Sequence, residues 1–464
     1  MADAGMVDEP SLTRRLGGLV AGTAGAALPA QVLERARVSI LHNLAVGLAG
    51  RPRERVAAVT ARQYWAAPAE ATLLMDGARV SCEGAAFANA ALMNIRSQDD
   101  THAASTSHPG SPTLAAALAV AERQGSSGAA FLAAVVLGYE VLCRAGRDFD
   151  ERFTARGFRA AALLGGFGAA AAAARLLGLS AEQAGHALGL QANLAGGLAQ
   201  VWREGSAEAA LQIGFGARNG IAAAYAAAGG ATAARFALEG TGGFYNGFGG
   251  TGAPPAEALA GLGVGWQLEE ITVKPLPVCA ILQGPAGLFL EMCASRGWRP
   301  EAIAAVVVTL NPYEADYPGI DNAGPFASSI ATKLSAQFCI GLAAVAGRIT
   351  PDGLDRVDDP AVLAVAGRVS VRRDAAVAAR CCRLEVRLRG GEVLAGAVAS
   401  PVGQPGFDEC ARFARGLGAE MGADAAAVER LIAAVAGLEA AADVGALVAA
   451  AVRVQSKVAF DRIT

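Results

Sequence analysis

The sequence has 464 residues, of which 53% are hydrophobic and 17% charged, with a formal net charge of −3. This length predicts two domains, and this composition predicts a large buried core and excludes a disordered chain. The small net charge, with no run of Lys or Arg, excludes an electrostatic nucleic-acid binder.

Arginine carries nearly all the positive charge; the lysines are Lys274, Lys333 and Lys457. The first ten residues are acidic and lack the basic start and apolar core of a signal peptide. Apolar runs such as Ala160–Ala174 are dominated by Ala and Gly and bounded by Arg159 and Arg175, which predicts buried helices and no membrane span. The eight cysteines include no CxxC, and no Cys/His spacing suits zinc. Free thiols, no metal and a cytoplasmic setting are expected.

In chain order, Ser11–Ala21 and a segment from Pro29 to Gly50 read as helices, the second with Val32, Ala36, Ile40, Leu44 and Leu48 at helical spacing. His42 within it reads as structural. A short strand or turn is expected at Ala71–Met75, and a small-residue helix at Cys82–Ile95. That helix delivers the chain into Arg96–Pro112, where two of the four histidines lie with two adjacent carboxylates and several hydroxyls. The chemistry is placed here. Ser111 is the expected N-cap and Pro112 the first residue of the next helix, whose free N–H groups would receive an anion. Asp100 is expected to fix the tautomer of a nearby imidazole. A loop whose polar side chains only cap helix ends is the other reading of the same residues.

Gly128–Ala145 is apolar nearly all round and reads as a central helix, with Glu140 paired to Arg144 one turn on. Gly165-Gly166-Phe167-Gly168 lacks the spacing of a dinucleotide fingerprint. Ser180-Ala-Glu-Gln183 is a capping box, and His186 beyond it reads as structural. Helix is expected through Gln191–Val201 and Glu204–Gly229, then a glycine-rich loop over 238–254. Near residue 268 the pattern changes. Ala304–Leu310 reads as a strand, and Cys382–Val398 as two strands about a Gly390-Gly391 turn. Helices are expected at Ala280–Ala294, Ile330–Ala346 and from Phe407 onward. The fold class is mainly α: a helical domain from 1–268 and 403–464, with a smaller α+β lid over 269–402.

Several motifs together resemble the MmgE/PrpD family, over essentially the whole length. They are Asp99-Asp100-Thr101-His102 with His108-Pro109, the Gly165–Gly178 run, Gly214–Ala224, Leu238–Phe244, Lys274-Pro-Leu-Pro277 and Ala331-Thr-Lys-Leu-Ser335. The family includes 2-methylcitrate dehydratase, cis-aconitate decarboxylase and iminodisuccinate epimerase. The resemblance implies a cofactor-independent homodimer that moves a proton next to a carboxylate of a small acid. It implies catalytic roles for Asp99, Asp100, Thr101, His102, His108 and Lys274, with Lys274 carried by the lid.

The sequence departs from the family pattern at several positions. Ser97 stands where an acidic residue is frequent, and Arg159 where a histidine is expected. Ala209-Ala210-Leu211-Gln212 replaces a Lys-x-Leu-His segment, and Cys279 and Gln283 lie where another histidine is expected. Arg159, Gln212, Cys279 and Tyr317 are therefore the expected substrate-binding residues, with Tyr313 an alternative phenol. The expected function is a lyase acting by elimination on a small carboxylate or activated carbonyl. Decarboxylation, epimerisation, a recruited biosynthetic reaction, and a binding homologue without catalysis are the alternatives.

Overall fold

The computed structural model describes residues 10–255, 258–401 and 403–455. The acidic run through Glu9 and Lys457 lie outside the described residues. The fold is mainly α: helices dominate both ends of the chain, and the strands form one four-stranded sheet and two short pairs.

One apolar core gathers residues from Leu12 to Val273 and from Cys410 to Val454. A second gathers residues from Val278 to Val386. The change of core therefore falls between Val273 and Val278, a few residues after the periodicity changes in the sequence.

In the first core the helices Gly110–Gln124, Gly128–Gly146, Ala160–Leu176 and Glu208–Ala228 pack on one another. Alanine and glycine bring their backbones close. A Cβ on Gly220 would lie 2.5 Å from the Gly166 carbonyl oxygen, so that crossing requires glycine. Gly128–Gly146 is long and apolar enough to cross a bilayer, but most of it is buried among these helices. Its Glu140 pairs with Arg144 as expected and also accepts from the Gln267 backbone N–H (2.7 Å). The capping box at Ser180–Gln183 opens the Ala181–Leu194 helix.

The second core lies under a sheet ordered Val369–Arg373, Ile303–Leu310, Cys382–Leu388, Val393–Val398. The first pair is parallel and the other two antiparallel. Cys382, Leu384 and Val386 point into the core while Arg383 and Arg387 face out, the alternation of a half-covered sheet. The helices Gln283–Arg296 and Ala336–Ala346 cover it.

Four sequence expectations need correction. Ile330–Ala346 is two helices broken at Ser335, whose hydroxyl caps the second by accepting from the Phe338 N–H (2.9 Å). The helix expected through Val201 ends at Leu194, and the chain then crosses to bridge Phe158 with Leu198. A six-residue helix, Phe244–Gly249, sits inside the expected glycine-rich loop. The strand Val369–Arg373 was not foreseen, because its alternation is short and ends in exposed arginines.

Candidate active site

The Asp-Asp-Thr-His stretch follows the Cys82–Asn94 helix and runs into a two-residue strand, Thr101–His102. That strand pairs antiparallel with Ile271–Thr272, Thr101 opposite Thr272 and His102 opposite Ile271. Lys274 lies two residues beyond this pairing, so the histidine loop and the lysine share one small ladder. Lys274, expected on the lid, is thus tied by this ladder to the histidine loop of the helical body.

The two aspartates have different work. Asp99 is fully buried. Its Oδ1 accepts from Lys274 Nζ (3.1 Å), and its Oδ2 accepts from Asn94 Nδ2 (2.7 Å) and Ser111 Oγ (2.7 Å). Burial would raise its pKa, but the charges of His108 and Lys274 and these hydrogen bonds hold it at about 2. The Asp100 carboxylate points elsewhere, accepting from Tyr139 OH (2.6 Å) and the Gly110 N–H (2.9 Å). Burial pushes it up to about 6 against the pull of Tyr139.

This corrects two expectations. The helix begins at Gly110 with Pro109 as its N-cap, so Ser111 is inside the first turn and bonds Asp99. The Gly110 N–H at the start of that turn, expected to meet an external anion, donates to the Asp100 carboxylate from within the chain.

His108 is oriented by backbone. Its Nδ1 lies 3.0 Å from the Asp100 carbonyl oxygen, 3.4 Å from Thr101 Oγ1 and 3.8 Å from Asp99 Oδ1. A carbonyl can only accept, so Nδ1 carries the proton and Nε2 keeps its lone pair. Asp100 does set the tautomer, but through its carbonyl and not its carboxylate. Burial first, then the charge of Lys274, against the pull of Asp99 and with a further push from Arg159, lowers the His108 pKa to about 3. At neutral pH it is a neutral imidazole.

His108 opens into a cavity of about 50 Å³. Lys274, Arg159, Thr101, Cys279 and Tyr317 line it too, together with Asn94, Thr106, Trp202 and Arg380. Among the described residues three cations and no carboxylate line this cavity. Arg159 caps the Ala160–Leu176 helix and is almost fully buried. Its Nη1 donates to the Ala209 carbonyl and to Gln212 Oε1 (3.3 Å), and its guanidinium lies 4.8 Å over the Trp202 ring. Among the described residues no carboxylate lies within ion-pair distance of it. Burial raises the Cys279 thiol, and raises Tyr317 to about 12, so both are protonated at neutral pH.

Four expected site residues stand outside the cavity lining: Asp99 and Asp100, described above, and His102 and Gln212. His102 is fully buried with Nδ1 2.8 Å from Ser105 Oγ, and its Nε2 faces Glu270 at 3.6 Å. It braces the loop because alternate residues of a strand point to opposite sides. Gln212 lies behind Arg159, tying it to Leu198 through an Nε2 bond to that carbonyl (3.1 Å). Sequence reasoning also missed Tyr139, Asn94 and Arg380. Tyr139 is the one phenol on a mostly apolar helix, and Asn94 lies two residues before the polar stretch; both were visible signals. Arg380 had none.

A model of the MmgE/PrpD N-terminal domain matches residues 14–256, and one of the MmgE/PrpD C-terminal domain matches residues 276–410. The chain belongs to the MmgE/PrpD family. A cis-aconitate decarboxylase-like protein of Aspergillus oryzae is 32% identical over 263 residues, which are 53% of this chain and 54% of that protein. The cis-aconitate decarboxylase of Aspergillus terreus is 31% identical over 271 residues, 56% of this chain and 55% of its own. The chain thus aligns with about half the length of the curated relatives it matches. Arg159 places a cation in the cavity, and the Gln212 amide supports it.

Proposed function

We propose that this family member is a cofactor-independent lyase acting on a small di- or tricarboxylate. The observation that carries the reading is His108: a neutral imidazole with its tautomer fixed, in a small cavity whose charged lining is wholly cationic. A substrate carboxylate on Arg159 would satisfy the cation that has no carboxylate partner. His108 Nε2 then takes a proton from the carbon next to a carboxylate, and Lys274 stabilises the enolate that forms. In an elimination the electron pair expels a leaving hydroxyl, which is protonated by Lys274 or Tyr317 and departs as water.

Decarboxylation is the second reading, favoured by the names of the two Aspergillus relatives. There the C–C bond to a carboxylate breaks, CO2 leaves, and the electron pair is protonated at carbon. His108 must then arrive as imidazolium. Substrate carboxylates offset the repulsion from Lys274 and Arg159, which raises the His108 pKa on binding.

The test is incubation with 2-hydroxy tricarboxylates and with unsaturated tricarboxylates, following water loss by alkene absorbance and CO2 release directly. Turnover of either class, lowered on the order of 100-fold or more in His108→Ala, is expected. Turnover undiminished in that variant contradicts the assignment.

A further inference from the structure

We infer that Arg380 is a second carboxylate-binding residue of this cavity, pairing with Arg159 to select diacids over monoacids. The inference rests on the carboxylate reading above and adds a specificity determinant from the other core.

Arg380 sits in the turn between the strands Val369–Arg373 and Cys382–Leu388. It lines the cavity with Arg159, Lys274 and His108, and its side chain is 10% exposed. Its backbone adopts φ +59°, a left-handed conformation unfavourable for a residue with a Cβ. Glycine would be the easier choice for a turn alone, and the side chain is the part glycine lacks.

Glu314 holds the guanidinium. Nη1 lies 3.1 Å from Glu314 Oε1, and the Arg380 backbone N–H donates to both oxygens of the same carboxylate (3.0 and 3.2 Å). Asn311 Nδ2 fixes Glu314 from its other side (2.8 Å). The helix Pro312–Asp316 that carries Glu314 also delivers Tyr317 to the cavity wall one turn later. Glu314 thus engages Nη1 of the guanidinium, while Arg380 itself is part of the cavity lining. Its Nε is buried with no hydrogen-bond partner. A buried donor left unpaired is rare in folded proteins and is met at sites that await a ligand.

The charges support the same assignment. Asp99 pairs with Lys274 as Glu314 pairs with Arg380, and neither carboxylate reaches the lining. A diacid can place one carboxylate on Arg159, from the helical core, and the other on Arg380, from the sheet core. The bond to be broken then lies between the two, next to His108. A monoacid uses one cation and loses the second contact.

The experiment measures calorimetric affinity for three non-reacting probes: butyrate, glutarate and propane-1,2,3-tricarboxylate. The unsubstituted protein should bind glutarate and the triacid more tightly than butyrate. Arg380→Met should weaken the two polyacids by roughly 10- to 100-fold, the scale of a lost charge-assisted hydrogen bond, and butyrate by less than about 3-fold. Arg380→Lys should restore part of the loss. Arg380→Met strands Glu314, so the double variant Arg380→Met/Glu314→Gln, which leaves no unpaired buried charge, serves if the single one fails to fold. Polyacid affinity unchanged by either variant, or an equal loss for all three acids, overturns the role of Arg380. Failure of the unsubstituted protein to bind any probe overturns the carboxylate reading itself, and the pairing with it.

Discussion

His108 shows how several groups divide the work on one imidazole. The Asp100 carbonyl fixes its tautomer, Asp99 faces it at 3.8 Å, and burial, then the charges of Lys274 and Arg159, keep it unprotonated. A pH dependence follows. The acid limb of kcat/KM reports the free enzyme and should lie well below the ordinary histidine value of about 6.5. Removing a cation removes repulsion on the imidazolium, so Arg159→Gln should move that limb upward. A limb unmoved by this change, measured as a pH–rate profile, would detach Arg159 from His108.

Gly110 is a second residue whose identity is dictated by contact. A Cβ there would meet Asn43 Nδ2 at 2.2 Å, Asp100 Oδ1 at 2.6 Å and Tyr139 OH at 2.6 Å. Gly110→Ala should therefore destabilise the fold by roughly 1–3 kcal/mol, the range of overpacking and of buried polar groups pushed apart. A denaturant midpoint equal to that of the unsubstituted chain would show that the network has slack.

At the scale of elements, the sequence was legible where one local pattern decided the outcome. The Ala181–Leu194 helix begins at its capping box, and the strands Cys382–Leu388 and Val393–Val398 flank Gly390-Gly391 because alternation and turn agree. It was illegible where tertiary contact overrode periodicity. Ser335 breaks an apolar run that reads as one helix, because its Oγ also donates to the Asn322 carbonyl (2.6 Å). In the site, residue types were legible and directions were not. His102 and His108 look alike in a polar stretch, yet strand geometry turns one into the core and leaves the other on the cavity wall. Arg380 could not be seen at all, since its partner Glu314 is 66 residues away.

The two-residue ladder between Thr101–His102 and Ile271–Thr272 positions Lys274 against Asp99. Lys274→Ala leaves Asp99 buried without its cation. It should cost about 3–5 kcal/mol of stability, the penalty of a stranded buried charge, besides lowering turnover. Lys274→Met with Asp99→Asn should recover much of the stability and none of the turnover. A double variant no more stable than the single one, by chemical denaturation, would show that the pair is not coupled.

At the scale of the whole molecule, His42 links the two ends of the chain. Its Nε2 lies 2.7 Å from the Gln98 carbonyl oxygen, and its ring stacks on Phe413 at 5.0 Å. Burial lowers its pKa to about 4. Below the unfolded value of about 6.5 the unfolded chain binds a proton that the folded chain refuses, so neutral His42 costs stability as pH falls from 6.5 toward 4. Relative to the parent, His42→Gln should gain about 2 kcal/mol between pH 7 and pH 5. A constant difference across that range would contradict the buried neutral state.

Assembly also belongs at this scale. Leu194, Leu198 and Phe215 are exposed on a loop and helix joined by the Gln212–Leu198 and Asn219–Leu194 hydrogen bonds. We propose that a second copy covers this face. Light scattering should give twice the 46.6 kDa chain mass, and Phe215→Glu should lower it. A mass of one chain for the parent would refute the dimer.

The central claim is that His108 Nε2 moves a proton at the carbon beside a substrate carboxylate. Proton NMR of small di- and tricarboxylates incubated with the protein in deuterium oxide tests it most directly. The account predicts loss of a hydrogen from that carbon on elimination, or gain of solvent deuterium there on exchange or decarboxylation, with the rate lowered on the order of 100-fold or more in His108→Ala. Hydrogen lost or deuterium gained as fast in His108→Ala as in the parent, or turnover in which no hydrogen at such a carbon is lost to or gained from solvent, would contradict it.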